Sequence, residues 1–82
     1  MDINSFIELV ANQFVNTEPS EFKPDTKFRE LDEFSSLIAL YIIGEVFEVY
    51  GVSLKSADIL SAVTIQDLFC IVEAKNNEVV RT

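Results

Sequence analysis

Ile3, Phe6, Ile7, Val10 and Phe14 recur at three- and four-residue spacing along the first segment, with Glu8, Ala11, Asn12 and Gln13 interleaved around them. That period puts the apolar side chains on one face and predicts an amphipathic helix over residues 3–16. The pattern lapses near Asn16. Pro19 bars a longer helix, because its ring removes a donor and clashes with the preceding turn. Polar positions then dominate residues 17–35, which hold both prolines and nine of the chain's twenty charges. Only Phe22, Phe28, Leu31 and Phe34 are apolar there. A connection this long in a compact domain is either functional or pinned down, and these four side chains are the candidate pins.

The next segment, 36–50, carries eleven apolar residues in fifteen and ends at Gly51. It reads as a helix capped by Ser35 or Ser36, whose hydroxyl accepts from a free backbone N–H. Gly51 suits the left-handed position just past a helix C-terminus. Ala57, Ile59 and Leu60 predict one or two turns over 56–61. Thr64-Ile65-Gln66-Asp67 has the form of a capping box with Asp in place of Glu. It opens a helix over 64–75 with Ile65, Leu68, Phe69 and Val72 inward, and the polar residues from Asn76 are expected to fray. The expectation is an all-α fold: three longer helices and one short helix in a single domain spanning 1–82.

Composition narrows the chemistry. Six Lys and Arg against fourteen Asp and Glu leave a net charge of −8, with no histidine. Such a chain repels a phosphate backbone, so nucleic acid is not an expected partner. Without His or Trp and with one Cys, it offers few parts for a metal site or an acid–base centre, and no metal or catalytic residues are expected. Glu30, Asp32 and Glu33 read as a solvated charged face. Asp25, Lys27 and Arg29 stand where a calcium loop would need oxygen ligands, and two glycines cannot build a phosphate loop. Cys70 has no internal partner and reads as a small buried hydrophobe. The longest apolar run, Leu37–Ile43, has seven residues, far below the roughly 20 of a membrane span. No basic, then apolar, leader is visible at the start. A cytoplasmic monomer off the membrane is the resulting expectation.

Pro24-Asp25-Thr26-Lys27-Phe28, Leu31-Asp32, Ser35-Ser36-Leu37, the apolar helix closing on Tyr50-Gly51-Val52, and Thr64-Ile65-Gln66-Asp67-Leu68 together resemble the acyl carrier protein family. The resemblance runs from Pro24 to about Ile71, and the first helix fits the same plan. It implies a small four-helix bundle bearing a 4′-phosphopantetheine arm on the serine that opens the second helix, here Ser36. The arm's thiol would hold acyl groups as thioesters for fatty-acid, polyketide or specialised lipid synthesis. The implied partners are a phosphopantetheinyl transferase and acyl-loading and acyl-processing enzymes. Where the family has Asp before that serine, this chain has Ser35, and Asp32 and Glu33 are the nearby acidic substitutes. The rival reading is an unmodified, carrier-like acidic interaction module.

A helical wheel of the second helix adds detail. With Leu37 at zero and about 100° per residue, Glu48 falls near 20°, Tyr41 near 40°, Glu45 near 80° and Ile38 near 100°. Unpaired buried charge is costly, so the two glutamates face water and Tyr41 with them. Ala39, Ile43, Val46 and Tyr50, flanked by Ile42 and Phe47, form the expected core arc. In the family the positions of Ile38 and Tyr41 are acidic. Two readings follow: Leu37, Ile38, Tyr41, Glu45 and Glu48 form a partner-docking patch, or Phe34 or Phe28 folds over the apolar members. Gly44, near 340°, is either a close-approach point for a partner or a tolerated weak spot.

Overall fold

The structure, a computed structural model, describes residues 2–81, with side chains described through residue 77. Four α-helices follow one another: α1 (Ile3–Ala11), α2 (Ser36–Tyr50), α3 (Ser56–Ser61) and α4 (Ile65–Arg81). Single 3₁₀ turns at Pro19–Glu21 and Phe28–Glu30 interrupt the long connection. No strand occurs among the described residues. α1 packs on α2 and α4, and α3 closes the bundle against α2 and α4. The core collects Phe6 and Val10 of α1, Ile42 and Val46 of α2, Ile59 of α3 and Ile65, Leu68 and Val72 of α4. Phe6 meets Phe69 edge-on with ring centroids 5.5 Å apart, a favoured aromatic arrangement.

Local chemistry sets the boundaries. Asp2 caps α1 by accepting from Ser5 N–H at 3.0 Å. α1 ends at Ala11, short of residue 16: Gln13 and Phe14 donate to Val10 and Ala11 through three-residue turns. That tightening swings Phe14 onto Phe22, with centroids 5.1 Å apart. Gly51 takes φ 70° and donates to the Phe47 carbonyl at 2.9 Å, closing α2. The box before α4 is reciprocal. Thr64 Oγ1 accepts from Asp67 N–H, while Asp67 Oδ2 accepts from Thr64 and Val63 N–H groups, each bond 3.1 Å long. Those backbone donors, Thr64 first, hold the Asp67 carboxyl below its ordinary value. α4 continues helically past the expected stop at residue 75, through Arg81. The backbone ladder needs no apolar periodicity to continue, and the burial of side chains past residue 77 lies outside the described residues. Cys70, expected inside, is exposed, because it points away from the Ile65–Leu68–Phe69–Val72 face.

The long connection is pinned by the four apolar residues. Phe22 and Phe28 are buried, and Leu31 and Phe34 pack against the core. Polar ties add to them. Glu33 Oε1 accepts from Asn16 N–H at 3.0 Å and from the Thr17 hydroxyl at 2.8 Å. Arg29 donates twice, at 3.0 and 2.8 Å, to the carbonyl of Ala62 just past α3. The carbonyls of Thr26 and Pro24 accept from the opening N–H groups of α4. The connection therefore delivers Ser35 and Ser36 from a fixed frame.

Candidate functional site

The site grows out of the junction between that connection and α2. Ser35 is extended, with φ −154° and ψ 174°, and its Oγ accepts from Ile38 N–H at 3.3 Å. Ser35 is thus the cap, and Ser36 is the first helical residue, its side chain exposed. The first ladder bond runs from Ala39 N–H to the Ser35 carbonyl at 3.0 Å. Helix geometry leaves the N–H groups of Ser36 and Leu37 without an intrahelical acceptor. Free N–H dipoles at the positive end of a helix favour an anion such as a phosphodiester. The exposed Ser36 hydroxyl fits that attachment.

Beside Ser36 lies a cleft of about 280 Å³ between α2 and α3. Phe34, Ala39, Leu40, Ile43, Ile59 and Leu60 line it, with hydroxyls from Ser36 and Ser56. Its walls are mainly hydrocarbon, which suits an apolar chain. A more open basin of about 450 Å³ is lined by Asn16, Thr17, Glu21, Leu31, Asp32 and Glu33 and does not include Ser36. Its Glu33 is engaged in tying the connection down. Among the described residues no charged or polar side chain is buried, and no group of three or more His, Cys, Asp or Glu is arranged to hold a metal. None of the described helices is long and apolar enough to cross a membrane.

The docking residues separate. Tyr41 is 49% exposed and Leu37 is exposed beside it. The aromatic pins turn elsewhere: Phe28 and Phe34 pack edge-on to each other with centroids 5.9 Å apart. Glu45 and Glu48 are exposed. Ile38 is not part of this surface; at 6% exposure it belongs to the core. The wheel also misplaced Phe47, which is 56% exposed, and it passed over Leu40, at 60%. Gly44 lies among them, exposed, and a Cβ added there would meet nothing within 4 Å. The outward face of α2 is therefore Leu37, Leu40, Tyr41, Gly44, Phe47 and Glu48, with Glu45 at its margin and Val49 exposed in the last turn.

Compared with known proteins, the chain matches over residues 6–69 the family described as phosphopantetheine attachment site. No curated protein and no solved structure matches it.

Proposed function

The chain belongs to the phosphopantetheine attachment family of acyl carrier type, whose 4′-phosphopantetheine is bound covalently, and we propose that it carries acyl intermediates on an arm attached to Ser36. What supports the reading is the position of that hydroxyl: exposed, first in α2, with free helical N–H groups behind it and an apolar cleft alongside. In attachment, Ser36 Oγ forms a bond to the phosphorus of coenzyme A's pantetheine phosphate. The pyrophosphate P–O bond breaks, adenosine bisphosphate leaves, and the hydroxyl proton passes to a base of the transferase. When bound, the group supplies a thiol on a flexible tether, to which an acyl cargo joins as a thioester. The chain's own residues orient the tether and offer the cleft as shelter for hydrocarbon. A phosphopantetheinyl transferase and acyl-loading and acyl-processing enzymes are the partners in this reading, and the cytoplasm is its setting. Leu37, Tyr41, Glu45 and Glu48 are the docking contacts in this reading.

Tyr41, exposed where the resemblance implies an acid, favours a dedicated lipid or polyketide pathway over housekeeping fatty-acid synthesis. The test is the intact mass after incubation with a transferase and coenzyme A. A gain of one arm that disappears in Ser36→Ala supports the reading. Unchanged mass favours an unmodified interaction module, and modification at Ser35 refutes the register.

A further inference from the structure

Along the exposed side of α2, Leu37, Leu40, Gly44 and Phe47 follow at steps of three, four and three. That alternation is the seam of a coiled coil, the pattern with which one helix meets another. It serves no packing among the described residues, because α1 and α3 take the side of Ile42 and Val46. Tyr41 flanks the seam and is also exposed. Three of the four seam positions are large and the fourth is a glycine, so the row has one hole among its knobs. The fold does not require that hole: no described atom lies within 4 Å of where a Cβ would be, and Gly44 has no positive φ. A glycine that weakens its helix and answers to no neighbour within the chain suits a helix packed against it from outside.

A second copy of the same helix fits this row, and it fits in one direction. Side by side in parallel, Gly44 would face Gly44 across a void, and Glu48 would face Glu48. Antiparallel, with Leu40 of each copy seated at Gly44 of the other, knob meets hole twice about a two-fold axis. The same register levels Leu37 with Phe47 of the second copy. It also levels Glu48 with Ser36 of the second copy, at the end of α2 where the N–H groups of Ser36 and Leu37 have no intrahelical acceptor. Those donors and the helix dipole favour a carboxylate there. α2 holds no Lys or Arg, so its N-terminus is the positive feature it offers to Glu48. The net charge of −8 does not forbid the pair. Only two of the fourteen acids lie on α2, and at about 0.15 M salt charges separated by more than about 8 Å are largely screened. Leu37, Leu40, Tyr41 and Phe47 present roughly 400 Å² of apolar surface on each copy. A stable complex buries about 800 Å² per partner, so this pair is weak and reversible.

We propose that α2 is a self-association face: two copies of the unmodified chain pair antiparallel, with Leu40 of each seated at Gly44 of the other and Glu48 of each at the other's α2 N-terminus. Pairing covers Ser36, so on the carrier reading above only the separated chain is open to attachment of the arm. Sedimentation equilibrium of the unmodified protein, its state confirmed by intact mass, is expected to show monomer and dimer exchanging with a Kd of about 0.1 mM. Gly44→Leu fills the hole and should raise that Kd at least about tenfold. Glu48→Lys separates this register from general electrostatics. It lowers the net negative charge, so simple repulsion predicts tighter pairing, whereas a lysine set against a helix N-terminus predicts a Kd raised about tenfold. Glu73→Lys makes the same charge change at an exposed position of α4 and should pair at least as tightly as the wild type. Melts at about 10 µM, where mass action keeps the chain monomeric, establish that all three variants fold. A wild type still monomeric at about 1 mM overturns the proposal and leaves the face to a helix of another protein. A dimer that Gly44→Leu or Glu48→Lys leaves intact, or that Glu73→Lys weakens equally, overturns it as well. Because the unmodified protein is measured, failure to pair leaves the carrier reading standing, and failure to gain the arm leaves the pair standing.

Discussion

Replacing Gly44 with alanine should make the protein more stable. Glycine in a helix interior costs about 1 kcal/mol relative to alanine, because the unfolded chain has more backbone freedom to lose. The gain is normally offset wherever the new methyl group collides with something. Here it does not: the nearest non-local heavy atom is beyond 4 Å, and Gly44 lies in mid-helix without a positive φ. Nearly the full increment should therefore appear. For a domain of this size, about 1 kcal/mol shifts Tm by roughly 4–8 °C. Gly51 is the internal control, since it also has open space around it but sits at φ 70°. Alanine there meets the left-handed penalty of roughly 1 kcal/mol or more, and Tm should fall. Melts followed by circular dichroism at 222 nm, the usual helical band, read both variants. A Gly44→Ala melt at or below the wild-type value refutes the reasoning, for it means that some part of the chain already occupies that space.

Ser36→Ala should abolish gain of the arm by mass spectrometry, while Ser35→Ala should still be modified but lose about 1 kcal/mol with its cap, read by urea titration. Phe28, fully buried at the centre of the connection, should cost about 3–5 kcal/mol when truncated to alanine; a midpoint close to wild type would show that the connection is not pinned. Asp67, held below its ordinary value of 3.8 by backbone donors of Thr64 and Val63, contributes stability that is present above that value and lost as pH falls through the lowered one. Asp67→Asn should therefore melt below the wild type at neutral pH and converge with it in acid, and a gap independent of pH would contradict the assignment.

Much of this architecture was legible from spacing because the relevant interactions are local. Gly51, the Thr64–Asp67 box and the core of α4 each depend on residues within one or two turns of one another. The pins of the connection were legible too, for Phe22, Phe28, Leu31 and Phe34 were the apolar residues of a polar stretch. The end of α1 was not. Val10 and Phe14 are spaced as in a helix, yet a three-residue turn brings Phe14 inward equally well, and only the ring of Phe22 decides between them. The far end of α4 escaped because a backbone ladder can run past the apolar periodicity from which the helix was read.

The misreading of α2 shows most clearly where physical inference from a wheel stops. Charge was used to find the outward direction, which placed its centre between Glu48 and Glu45, near 50° on the wheel. The exposed arc actually runs from Phe47, near 280°, through Gly44 to Tyr41, near 40°, with Ile38 already inside near 100°; only in the last turn does exposure reach further, to Val49 near 120°. A glutamate has a flexible stem and can carry its carboxylate to water from the margin of a buried face. Glu45 does so here, close to the rotation of Ile38. Charges therefore mark one side of the exposed arc, Glu48 within it and Glu45 at its margin, without centring it. On a helix whose remaining positions are apolar, the choice of inward arc passes to its neighbours, and α1 and α3 take the side of Ile42 and Val46. Burial had a surplus of hydrocarbon to choose from on this helix alone. What it left outside is the surface next to Ser36, so the residues that made the wheel ambiguous are the ones that set this carrier's surface apart from an acidic one.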